Sequence, residues 1–109
     1  MDTIGISMEL IASAGDSRSY AMEAIALAKA GDFDEARSSL EKAKDAMVEA
    51  HEVQTGLLRG EMSGNEKEKA ELSLLMVHAQ DHLTMALLMR DMAREFIELY
   101  EKINGKEGK

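Results

Sequence analysis

The sequence predicts an all-α fold, and three observations carry the prediction. Proline is absent from all 109 residues, so nothing in the chain forbids long uninterrupted helices. The strong helix formers Ala, Leu, Met, Glu and Lys are abundant. No segment shows the β-branched, apolar–polar alternation that marks a strand. A chain of this length is read as one domain, residues 1–109, with a modest core. So small a domain buries a limited share of its surface, which makes oligomerisation a natural source of stability.

The first helix is placed from Thr3 to about Lys29, with Ile4, Met8, Ile11, Met22, Ile25 and Ala26 at helical spacing. Its middle, Ser13-Ala14-Gly15-Asp16-Ser17, is a soft stretch suited to a kink or to close packing of a neighbour. Ala30-Gly31-Asp32 marks a stop and restart, Gly31 suited to the end of one helix and Asp32 to the N-cap of the next.

The second helix is placed from Phe33 to about Arg59. Phe33, Ala36, Leu40, Ala43, Met47, Ala50 and Gln54 share one face, while Arg37, Glu41, Lys44 and Asp45 fall mostly on a solvated one. Gly60 to Glu66, with Ser63-Gly64-Asn65 at its centre, is a loop.

The third helix is placed from about Lys67 to Ile103, followed by a polar tail expected to fray. At 100° per residue it carries two apolar stripes. One holds Leu72, Met76, Ala79, Leu83, Ala86, Ala93 and Ile97. The other holds Leu74, Val77, Asp81, Met85, Leu88, Met92 and Leu99, close to a coiled-coil seam. Ser73, Gln80, Asp91, Arg94, Glu98 and Lys102 form a narrower polar strip. One stripe suffices to pack a three-helix antiparallel bundle. The second implies a further surface, most simply the same helix of other subunits.

Composition narrows the function. There is no cysteine, which excludes disulfides, thiol nucleophiles and thiolate metal sites. The formal charge of −8 argues against nucleic acid or an anionic membrane as the main partner. The opening Met1-Asp2-Thr3 lacks the basic and apolar regions of a signal peptide, and no apolar run is long enough to cross a bilayer. The expectation is a cytoplasmic protein without direct membrane insertion.

The three histidines are His51, His78 and His82. His51 reads as a helix-surface or packing residue. His78 and His82 lie one turn apart in the most apolar helix, and His78 projects between the two stripes. Three readings are open for this pair: satisfied interior or interface histidines, an i, i+4 pair holding a transition metal, or an imidazole that takes up a phosphoryl group. Asp81 falls within the seam, where a carboxylate is costly unless paired or bound to a cation. It either reaches the edge to bond a polar neighbour or meets its own copies about a threefold axis, where Mg²⁺ or another hard divalent cation would relieve the repulsion.

The run Leu74-Leu75-Met76-Val77-His78-Ala79-Gln80-Asp81-His82-Leu83 closely resembles the hallmark of the lactose/cellobiose (N,N'-diacetylchitobiose) class of phosphotransferase-system enzyme IIA. Ala30-Gly31-Asp32-Phe33, Ala50-His51-Glu52-Val53-Gln54-Thr55 and Glu98-Leu99-Tyr100 extend the resemblance over nearly the whole chain. The resemblance implies three helices per subunit assembled into a homotrimeric nine-helix bundle. It implies that His78 is the phosphorylated residue and that Asp81 binds a divalent cation on the threefold axis. His78 then accepts phosphate from the histidine-containing phosphocarrier HPr and passes it to a cysteine of the IIB component. His82, and less directly Gln80, are candidates for orienting the imidazole or bonding the phosphoryl oxygens. Gly56 and Gly60 look loose for the family near the end of the second helix. The alternative is a helical interaction module, tetratricopeptide-like or of the microtubule-interacting-and-trafficking type, suggested by Ala28 to Ala36; a recurring 34-residue unit, which such repeats require, is not found.

Overall fold

The computed structural model describes residues 2–108, with side chains as far as Gly105. Three helices follow one another up, down and up: α1 (Thr3–Lys29), α2 (Phe33–Met62) and α3 (Leu74–Gly108). A single 3-10 turn, Glu66–Glu68, interrupts the second connection. The bundle is 61 Å long and 21 by 19 Å across. α1 packs along both partners, whereas α2 and α3 touch over a smaller area. No helix is long and apolar enough to cross a membrane among the described residues.

Local chemistry sets the ends. Asp2 caps α1, its Oδ1 accepting from the Gly5 N–H at 2.9 Å. At the other end the Gly31 N–H donates to the Ala28 carbonyl and the Asp32 N–H to the Leu27 carbonyl. This is the paired closure that needs a left-handed residue, and Gly31 supplies it with φ of 89°. Asp32 occupies the N-cap position of α2 as the sequence suggests, but makes no side-chain cap bond. The Ser13–Ser17 stretch does not break α1, which stays helical throughout.

Three expected boundaries move. α2 runs on to Met62, one turn past Arg59. α3 begins at Leu74 and not near Lys67, because Ser73 is its cap: Ser73 Oγ accepts from the Met76 N–H at 3.1 Å and its carbonyl accepts from the Val77 N–H. Leu72, assigned by periodicity to the buried stripe, lies before the helix and is exposed. At the far end α3 continues through the polar tail to Gly108.

The core is built mostly from alanine. Ala14, Ala21, Ala24, Ala28, Ala36, Ala43 and Ala50 are buried on α1 and α2, and so small a set of side chains lets the two backbones approach closely. Serines fasten the contact: buried Ser17 donates to the Ala43 carbonyl at 2.8 Å, and Ser39 to the Tyr20 carbonyl at 3.1 Å. Satisfied hydroxyls of this kind avoid the penalty of an unpaired buried polar atom. α3 adds Met76, Ala79, Leu83, Ala86, Ala93 and Ile97, the first predicted stripe less Leu72.

The register of α1 against α3 is set by a contact from Ser7 Oγ to Met76 Sδ at 3.7 Å. Because both helices rise in the same direction, the same offset brings Leu10 beside Ala79, Ala14 beside Leu83, Ala24 beside Ala93 and Ala28 beside Ile97, all buried. Toward the opposite end, Arg37 of α2 is ion-paired with Glu101 of α3. The hydrogen bond that Arg37 donates to Glu101 holds the guanidinium pKa above its ordinary value.

Candidate functional site

The Ser73 cap fixes where α3 starts, and thereby places His78 and His82 on its second and third turns. Side chains four residues apart share a helix face. The two imidazoles meet: His82 Nε2 lies 3.0 Å from His78 Nε2, with ring centroids 4.4 Å apart and planes near perpendicular at 78°. Such a contact needs a proton on one Nε2 and a lone pair on the other. His78 is exposed and His82 half-buried. Of the two, His78 is therefore open to a large reaction partner, while His82 stands behind it.

Around this pair runs the second apolar stripe, which the chain leaves uncovered. Leu74 is 84% exposed, Met85 54% and Leu88 62%, and Val77, Met92 and Leu99 are exposed as well. α1 exposes Ile4, Met8 and Met22 as well. This is a larger uncovered apolar face than a monomeric domain ordinarily carries.

Asp81 sits within that stripe, exposed, and has neither an ion pair nor a hydrogen bond among the described residues. No group of three His, Asp or Glu side chains able to hold a metal occurs within the chain among the described residues. Among the described residues, no third ligand from the same chain joins the His78–His82 pair.

Gln80 points elsewhere. Its Oε1 accepts from Gln54 Nε2 of α2 at 2.8 Å and its Nε2 reaches Met76 Sδ at 3.4 Å, so it ties α3 to α2 and makes no contact with His78. The expectation that Gln80 orients the imidazole finds no contact within the subunit. The reason is angular: two residues along a helix is 200°, the opposite side from His78. His51 is exposed on α2, its carbonyl accepting from the Thr55 hydroxyl at 3.0 Å.

Two residues near the site escaped the sequence reading. Gln54, counted on the packing face of α2, is the partner of Gln80. Arg18 of α1 borders a cavity of about 370 Å³ together with His82. Neither carries a local signal, since each acquires its neighbour from a different helix.

Comparison with known proteins gives the family. Residues 5–101 match the family model described as the lactose/cellobiose-specific IIA subunit of the phosphotransferase system. The lichenan-specific phosphotransferase enzyme IIA component of Bacillus subtilis is 52% identical over 103 residues, covering 94% of this chain and 91% of that protein. Among solved structures, the cellobiose-specific enzyme IIA from Bacillus anthracis superposes with a TM-score of 0.88 at 44% identity, covering 97% and 94% of the two chains. The chitobiose IIA of Escherichia coli, solved in complex with HPr, gives 0.79 at 38% identity, covering 95% and 98%.

Proposed function

The chain belongs to the lactose/cellobiose-specific IIA family of the phosphotransferase system, and from that premise we propose that His78 is the residue through which it relays phosphate. As a IIA component it is a phosphotransferase relay and not a free-standing catalyst. Family membership displaces the alternative of a peptide-binding helical module.

The carrying observation is the 3.0 Å contact between the two Nε2 atoms with His78 on the exposed side. His78 attacks through Nε2 only when its own proton sits on Nδ1, and a proton on His82 Nε2 selects that tautomer. Phospho-HPr is the donor, in keeping with the HPr complex of the similar chitobiose protein. The lone pair of His78 Nε2 forms the new N–P bond as the P–N bond of the donor histidine breaks and its electron pair returns to the donor ring. His82 Nε2–H, released from that lone pair, turns to an incoming phosphoryl oxygen. The task is positioning and charge stabilisation, which is most of what phosphoryl transfer asks of a protein. The next acceptor is a cysteine on the IIB component. This chain has none, so the thiol of the relay must stand on the partner. The work is cytoplasmic, and the sugar handled is a disaccharide of the lactose, cellobiose or chitobiose class.

Assembly follows from the uncovered stripe. Three copies packed through the Leu74–Leu99 seam bury it, giving a nine-helix homotrimer, and bring three Asp81 carboxylates together. Asp81 is suited to a cation there: a hard oxygen donor, exposed, and without a partner among the described residues. A divalent ion such as Mg²⁺ would offset the mutual repulsion and hold the subunits.

The test is incubation with phosphoenolpyruvate, enzyme I and HPr, followed by intact mass and site mapping. The expected result is an acid-labile gain of one phosphoryl group on His78, absent in His78→Ala. A gain that survives His78→Ala, or none with competent upstream proteins, overturns the assignment.

A further inference from the structure

We infer that Arg18 is a second phosphoryl-binding residue of the relay, its guanidinium supplying the positive charge that holds the phosphoryl group on His78. The inference rests on His78 as the phosphorylated residue.

The cavity beside the histidine pair is walled by Ala14 and Arg18 of α1 and by His82, Met85, Met89 and Met92 of α3. Arg18 is the one cation on its lining among the described residues, and the rest of the wall is apolar apart from His82. Arg18 is exposed and has no ion pair or hydrogen bond there, whereas Arg37, Arg90 and Arg94 are all engaged with carboxylates. An uncommitted guanidinium in an acidic chain, beside a candidate phosphohistidine, is suited to binding an anion.

Register brings it within range. The offset fixed by Ser7 and Met76 sets Arg18 level with Leu87, five residues past His82. That is about 7.5 Å along the axis. The arginine side chain is long enough to span much of that offset, and it shares the cavity wall with His82. His82, which lines this cavity, is also the residue whose Nε2 meets His78 Nε2, so a phosphoryl group on that nitrogen sits beside a side chain that shares a wall with Arg18.

Demand matches supply. A phosphoryl group presents three acceptor oxygens and close to two negative charges. His82 offers one N–H, and Gln80 is committed to Gln54. The chain carries −8 overall, which opposes an added dianion. A guanidinium answers this need with several donors in a fork that fits phosphate oxygens.

The experiment measures rapid-quench transfer from phospho-HPr, and the equilibrium of that transfer, for wild type, Arg18→Gln and Arg18→Lys. Removing one preorganised charge-bearing donor predicts a fall of about tenfold to a hundredfold in the saturating rate for Arg18→Gln. The equilibrium should shift toward phospho-HPr by a similar factor, with the KM for HPr little changed and Arg18→Lys restoring part of both. Circular dichroism and thermal melting serve as the fold control, and an exposed Arg18 predicts that both are unchanged. An unaltered rate and equilibrium in Arg18→Gln overturns the inference. So does a change confined to KM, which would assign Arg18 to HPr docking, or a loss that tracks a fallen melting temperature. Failure of the wild-type chain to accept phosphate on His78 is a separate outcome and overturns the relay reading beneath it.

Discussion

Gly60 is where one added methyl group has the most clearly calculable effect. It lies buried in the last turns of α2, and the carbonyl of Glu68 crosses directly over it. A Cβ at this position would fall inside the van der Waals radius of the Glu68 oxygen and 3.1 Å from its carbonyl carbon. The oxygen belongs to backbone in the turn that leads to Ser73 and α3, so relief requires moving the connection itself by roughly 1 Å. Forcing an extra methyl into packed structure costs about 1–3 kcal/mol. Replacing glycine in a helix returns about 0.5–1 kcal/mol. The net expectation for Gly60→Ala is a loss of about 1–2 kcal/mol, or a melting temperature lower by at least about 4 °C. The control is Gly56→Ala one turn earlier, where a Cβ meets nothing within 4 Å and the same substitution should raise stability by about 0.5–1 kcal/mol. Both belong in urea and thermal unfolding at one fixed protein concentration, because a self-associating chain melts at a concentration-dependent temperature. Gly60→Ala as stable as Gly56→Ala would refute the reasoning. The apparent looseness of this glycine-containing stretch is thus, at Gly60, a requirement of the chain crossing.

Leu88→Glu places a charge in the centre of the uncovered stripe and should turn the proposed trimer into monomers in sedimentation equilibrium, with helical content retained; a variant that stays trimeric would remove this face from assembly. Asp81→Leu replaces a carboxylate in that seam with an apolar side chain. A cation held by Asp81 in the proposed trimer predicts a wild-type assembly that a chelator weakens and an Asp81→Leu assembly that it does not, and an equal response of both would argue against it. His82→Ala deletes the donor 3.0 Å from His78 Nε2 and should slow transfer from phospho-HPr roughly tenfold, from the loss of one hydrogen bond to a charged group. Rates equal to wild type in a quench-flow assay would exclude His82 from the mechanism.

How far the sequence can be read depends on how local the cause is. Gly31 announces the α1–α2 turn because its left-handed backbone is a property of that one residue. The uncovered stripe was legible because helical periodicity tells which residues share a face. The start of α3 was not. Lys67 to Leu72 contains good helix formers. Yet the chain there is a 3-10 turn and an extended link, since it must first cross α2 over Gly60 before Ser73 can cap the helix. Leu72 was misplaced for the same reason. Gln80 illustrates a different limit: periodicity sets it opposite His78, but its partner Gln54 lies 26 residues away on another helix.

By itself, the sequence determined the all-α class, the break at Gly31, the His78-Ala79-Gln80-Asp81-His82 run and, through it, the family resemblance. Each of these follows from residue type and spacing within one segment. Only the tertiary structure decided which nitrogen of His78 faces His82, that Gln80 is spent on α2, and that Arg18 of α1 shares a cavity with His82 of α3. These depend on the axial register and separation of helices far apart in the chain. Here alanine packing and the Ser7–Met76 contact set them, and no window of consecutive residues encodes such quantities.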